Sequence, residues 1–225
     1  MEICPKIGSG KLASTSETEP VKTHFVLVIL GATRVGKTAI IQQFLHASFP
    51  ADYKATVEEF HRSRYDMKDF VLTLDILDTS GTYEFPAMKR LAMNAGDAFV
   101  LVYSIDDAQS FEEMCREREL IHKERPIDVP MAVVGNKCDL EEYRAVKKEL
   151  AESIVTIDWG STFIEASAKN NTNIIQIFNE LLTHAYAPGV LSISLEQRRQ
   201  SLPCCSVSPK EKRDSTPKRH SCVVS

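Results

Sequence analysis

The 225 residues suffice for one domain of about 160–170 residues with a tail at each end, and a hydrophobic content of 43% supports a substantial core. No apolar run approaches the roughly 18 residues of a membrane span, and the first 20 residues lack the basic-then-apolar order of a secretory signal. The net charge of −4 is uneven: residues 187–225 carry +4, residues 1–22 balance, and residues 23–186 carry −8. An acidic body with a basic tail suits an anionic membrane surface better than nucleic acid, unless the tail is merely solvated.

Without a secretory signal the chain is expected in a reducing cytosol, where Cys4, Cys115, Cys138, Cys204, Cys205 and Cys222 read as thiols. Residues 1–22 are rich in Ser, Thr, Glu and Lys with no apolar period, and are read as a disordered leader. The ordered unit is expected over 23–186, and a flexible, serine- and proline-containing basic tail over 187–225.

From His24 the pattern changes. Phe25 to Leu30 is a continuous apolar run, the mark of a buried parallel strand. A glycine-containing loop follows, then a helix over Thr38 to His46. Phe60 to Tyr65 and Phe70 to Ile76 flank the polar turn Met67-Lys68-Asp69 and predict a hairpin. Ala98 to Tyr103, Met131 to Val134 and Thr162 to Ile164 predict three further strands. Helices are predicted over 109–124, 144–155 and 172–186. In the last, Ile174, Ile177, Phe178, Leu181 and Leu182 recur at helical spacing and read as core. Alternating strands and helices imply an α/β fold with helices on both faces of the sheet.

The strongest local signal is Gly31-Ala32-Thr33-Arg34-Val35-Gly36-Lys37-Thr38, which fits G-x-x-x-x-G-K-[ST] between a strand and a helix. Successive backbone N–H groups must wrap a phosphate there, so glycine is needed where a side chain would block approach. The helix that opens at this loop adds its N-terminal dipole. Lys37 can reach the outer phosphates, and the Thr38 hydroxyl can coordinate Mg²⁺. Such a loop does not choose a base. Asn136-Lys137-Cys138-Asp139, directly after a strand, can: the Asp139 carboxylate can accept from both N1–H and the 2-amino group of guanine, a donor pair adenine lacks.

With both motifs in this order, and with Asp78-Thr79-Ser80-Gly81 and Glu165-Ala166-Ser167-Ala168-Lys169 after strands, residues 24–186 resemble the Ras superfamily. Leu-Asp-Ile-Leu-Asp-Thr-Ser-Gly and Phe-Pro-Ala-Met-Lys-Arg-Leu are most similar to the Ras branch, near its Rhes/Dexras and Di-Ras subgroups. The resemblance implies a P-loop G domain: a six-stranded, mostly parallel sheet with one antiparallel strand. It implies a slow, membrane-anchored GTPase switch between GTP and GDP forms, or alternatively a largely GTP-loaded adaptor of the same fold. It further implies that Gly31, Thr33, Arg34, Val35, Gly36, Lys37, Thr38 and Ala39 hold the phosphates. Thr38 and Thr56 would ligate Mg²⁺, and Asp78 would hold it through water. Thr56 and the Gly81 N–H would close on the γ-phosphate, and Phe49 would stack beside the base. Asn136, Lys137 and Asp139 would build the guanine pocket with Ser167, Ala168 and Lys169 in support. Tyr53, Glu58 and Glu59 would form the effector edge. Lys37, Thr56, Gly81 and Thr82 are the catalytic candidates. Effectors, exchange factors and GTPase-activating proteins are the implied partners of a monomer that binds no nucleic acid.

Two departures bear on catalysis. Thr82 stands where the family usually has the glutamine that orients the attacking water, as in the Rap branch. Thr33 and Arg34 occupy positions that are glycine in Ras itself; this bulk can obstruct an arginine brought by a partner, or Arg34 can supply charge itself, or point into solvent. Cys222-Val223-Val224-Ser225 fits C-a-a-X with a farnesyl preference, and Cys204 and Cys205 are candidates for palmitoylation or inert thiols. With the basic tail as second signal, the expected location is the cytoplasmic face of the plasma membrane, with a cytosolic pool.

Overall fold

The computed structural model describes residues 23–50, 52–66, 71–81, 86–125 and 129–185. The proposed leader and tail, the turn Met67-Lys68-Asp69, Thr82, Cys204, Cys205 and Cys222 lie outside them. Six strands form one sheet: β1 (His24–Leu30), β2 (Glu59–Asp66), β3 (Val71–Asp78), β4 (Ala98–Ser104), β5 (Met131–Asn136) and β6 (Thr162–Glu165), in the order β2-β3-β1-β4-β5-β6. All neighbours are parallel except β2 and β3, which pair antiparallel from Glu59 opposite Asp78 to Asp66 opposite Val71. This is the hairpin that the flanking apolar runs predict.

Burial follows strand position. Every residue of central β4 and β5 is buried, because helices cover both faces of a parallel sheet. Edge strand β2 buries only Ser63 and Tyr65 and exposes most of the rest. On one face, α1 (Lys37–His46) and α5 (Ile174–Ala185) bury Ile40, Ile41, Phe44, Phe178 and Leu181 against the sheet. Phe44 and Phe178 stack with centroids 3.6 Å apart. The predicted stripe on α5 is entirely core, each of its five residues at most 1% exposed. On the other face, α2 (Pro86–Ala95), α3 (Ala108–Glu124) and α4 (Lys148–Ser153) pack Ala92, Met93, Met114, Ile121 and Ala151. No helix among the described residues is long and apolar enough to cross a membrane.

Two elements differ from expectation. Helix α2 has no predicted counterpart. Only Ala92 and Met93 of it are well buried, while Met88 and Leu91 face out, so it carries no long apolar stripe; the local signal is Pro86 at its first position. The helix predicted over 144–155 starts at Lys148 and opens after Ser153 into a wider turn over Ile154–Asp158, where Trp159 N–H reaches the Ile154 carbonyl. The cause is tertiary. Ala145 and Val146 N–H both donate to the Ile105 carbonyl at 2.8 and 3.0 Å, and Arg144 spans Glu141 and Glu165 at 2.6 and 2.7 Å. A helical turn there would forfeit those bonds. Among the described residues Cys115 and Cys138 are free thiols, with pKa values raised by burial.

Candidate nucleotide site

The site lies where β1, β3 and β5 end. The loop after β1 turns back to start α1, and a cleft of about 390 Å³ opens above it, lined by Lys37, Thr38, Tyr53, Thr56 and Gly81 among others. Two glycines make the close approach possible. Gly36 has φ 98°, and a Cβ there would fall 2.3 Å from the Asn136 amide. A Cβ on Gly81 would fall 2.5 Å from the Thr33 backbone nitrogen, so only glycine lets the two loops touch.

Lys37 is 6% exposed, and its Nζ donates to the Gly31 and Ala32 carbonyls at 2.8 Å each. Burial brings its pKa down to about 8, with the Glu117 and Asp78 carboxylates pulling it back up. Burial thus disfavours the charged form of Lys37, and an anion close to Nζ would favour it again.

Beside it, Thr38 Oγ1 donates to Asp78 Oδ2 at 2.6 Å and lies 2.7 Å from Thr56 Oγ1. Since the Thr38 proton goes to the carboxylate, Thr56 donates to Thr38. Residues 18 and 40 positions apart in sequence thus converge as a cluster of oxygens. Asp78 Oδ1 is buried with no hydrogen-bond partner, and burial raises the Asp78 pKa despite the Thr38 bond and Lys37. Two hydroxyls and a carboxylate with one unpartnered oxygen suit a hard divalent cation such as Mg²⁺. Thr79 Oγ1 donates to the Ile29 carbonyl at 2.7 Å and pins this turn to β1.

The second motif ties the loops of the site to one another. Asn136 is 2% exposed, and both ends of its amide are engaged within the protein. Its Nδ2 donates to the Val35 carbonyl at 2.8 Å, and its Oδ1 accepts from Ala168 N–H at 3.2 Å. It therefore braces the phosphate loop against the Ser167-Ala168-Lys169 turn. Ser167 Oγ donates to Asp139 Oδ1 at 2.5 Å and accepts from Asn170 N–H. Lys137, at φ 65°, pairs with Asp106 at 3.6 Å, and Lys169 is exposed.

The remaining candidates are dispersed. Ala39 is buried in α1, and Phe49 is half exposed on the turn after α1. Tyr53 and Glu59 are exposed and Glu58 is half-buried. Because Glu59 pairs with Asp78 in the sheet register, the predicted effector edge begins beside the oxygen cluster.

Sequence reasoning missed Glu117, 3% exposed on α3 and paired to Lys89 of α2 at 2.5 Å. It contributes to the field on Lys37 and ties α2 to the core. A signal existed: Met114, Glu117 and Ile121 share one helical face, and a lone carboxylate in such a stripe needs a partner.

The Ras family pattern matches residues 26–187. The chain is 39% identical over 189 residues to the GTP-binding protein Rhes of Homo sapiens, covering 80% of this chain and 71% of that protein. The figures are the same for Rhes of Mus musculus. It is 38% identical over 177 residues to the GTP-binding protein Di-Ras1 of Mus musculus, covering 78% of this chain and 88% of that one. With its P-loop, its Asn136–Asp139 motif and its sheet order on one scaffold, the chain belongs to the Ras family of small GTPases.

Proposed function

We propose that the protein is a membrane-anchored switch that takes up GTP or GDP with Mg²⁺ and hydrolyses GTP slowly. The observation that carries the reading is the convergence of Lys37, Thr38, Thr56 and Asp78 on one cleft, joined through Asn136 to the turn that orients Asp139. Thr38, Thr56 and Asp78 would hold the metal, which when bound would neutralise phosphate charge. Lys37 would bind the outer phosphates, and the Gly81 N–H would meet the γ-phosphate. Thr56 and Gly81 belong to loops that the last phosphate would hold in addition, so its loss would loosen both and change the surface at Tyr53, Glu58 and Glu59.

Slow turnover is supported by residue type. A threonine hydroxyl at Thr82 is too short to hold a water as glutamine does, which leaves an unaided rate at or below roughly 10⁻⁴ per second. Single-turnover hydrolysis of bound GTP checks this; a rate a hundredfold above that scale sinks it. The second reading, a largely GTP-loaded adaptor, is favoured by Arg34 at the cleft rim. Nucleotide extracted from the freshly purified protein separates the two: mostly GTP supports the adaptor, mostly GDP the switch.

The anchor is supported by Cys222-Val223-Val224-Ser225 and by Lys210, Lys212, Arg213, Lys218 and Arg219. One prenyl chain binds weakly and reversibly, and basic residues near an anionic leaflet add about 1 kcal/mol each. Cys222→Ser is expected to move most of the protein from the membrane to the cytosolic fraction of expressing cells; unchanged fractionation would rule out the anchor. Cys204 and Cys205 remain proposed palmitoylation sites, tested by hydroxylamine-sensitive labelling.

A further inference from the structure

The rim of the cleft carries a contact that neither motif requires. Arg34 sits in the left-handed region at φ 62°, a conformation that costs a non-glycine residue about 1–2 kcal/mol. Its guanidinium lies over the Tyr53 ring, 5.4 Å from the centroid, within the range of a cation–π attraction. Both residues are exposed and both line the cleft. Arg34 belongs to the phosphate loop. Tyr53 stands three residues before Thr56, whose hydroxyl is already 2.7 Å from Thr38. The stack therefore joins the fixed floor of the cleft to the loop that must close over it, at a point separate from the oxygen cluster.

We propose that Arg34 and Tyr53 form a clasp across the mouth of the phosphate cleft, with Arg34 a positioning residue that holds the Tyr53–Thr56 loop shut. The clasp rests on the reading that the cleft takes a guanine nucleotide. It gives the strained arginine a function: the contact offsets part of the left-handed backbone's cost, and only while the loop is closed. It also fills the rim with the chain's own cation, where a partner's arginine would have to enter.

The test is release of a fluorescent, non-hydrolysable GTP analogue from the full chain in Mg²⁺ buffer. Arg34→Gly relieves the backbone strain, so it keeps the fold while removing the cation. Arg34→Gly and Tyr53→Ala should each speed release about threefold, on the scale of an exposed cation–π contact. The double variant should be no faster than either single one. Tyr53→Phe, which keeps a ring face, should restore the wild-type rate. Release unchanged in Arg34→Gly overturns the clasp, as does an Arg34→Gly effect that persists undiminished in the Tyr53→Ala background, since Arg34 would then act on the phosphates directly. Wild-type protein that takes up no analogue overturns the nucleotide reading and the clasp with it.

Discussion

Lys37→Met is expected to weaken GDP and GTP binding about a thousandfold while making the empty protein more stable. The two effects share one cause. Lys37 is buried, and burial lowers its pKa from 10.5 to about 8, a cost to the empty fold of about 3 kcal/mol at 1.36 kcal/mol per unit. Two carbonyl acceptors do not repay it; a phosphate does, through charge-assisted bonds in a partly dry cleft. Methionine fills the space without charge, so the empty protein should gain about 1–3 kcal/mol. The pH dependence has a definite sign. Between pH 8 and 10.5 the unfolded chain keeps the Lys37 proton and the folded chain has lost it, so wild-type stability from this group rises with pH across that window. The rise should vanish in Lys37→Met. Urea unfolding at pH 7.5 and 10, with calorimetric titration of GDP, measures all three effects. Retained affinity, or an empty variant less stable than wild type, would refute this account of Lys37.

Asp139→Asn is expected to reduce guanine nucleotide affinity by a factor of about 10²–10³, with little loss of fold stability. Ser167 Oγ donates to Asp139 Oδ1, and an asparagine carbonyl can keep that bond. The loss falls on the other oxygen. There an N–H would face the guanine donors, leaving buried polar groups opposed and unpaired at about 3–4 kcal/mol. The same amide would complement a base with a carbonyl at position 2, so xanthine nucleotides should gain affinity as guanine nucleotides lose it. Competition between the two against a fluorescent guanine nucleotide reads the change directly. Equal weakening for both bases would mean that Asp139 holds the turn in place and does not read the base.

Both predictions start from motifs visible in the bare chain. Gly31 to Thr38 and Asn136 to Asp139 are readable because each is a short contiguous stretch with a fixed spacing of residue types next to a strand. The six strands are also readable, within about two residues. Continuous apolar runs must be covered on both faces, and the α5 stripe must meet a sheet.

Other features required the folded chain. Helix α2 buries too little to leave a stripe, and the start of α4 is set by the Ile105 carbonyl and by Arg144, neither of which is local. The bonds by which Asn136 braces Val35 against Ala168, 101 and 32 residues away, are likewise not local. The direction of Arg34, left open by its residue type, is set by Tyr53, which lies 19 residues further along the chain.

The phosphate loop, the Asn136–Asp139 motif and the alternation of strand and helix are legible in the bare chain, because periodicity and contiguous motifs act over a few neighbouring residues. The meeting of Thr38, Thr56 and Asp78, the influence of Glu117 on Lys37 and the stacking of Arg34 on Tyr53 arise in the folded chain alone. Those contacts join residues from 18 to 80 positions apart. Their energies depend on burial and on distances that exist only once the sheet has brought its loops to one edge.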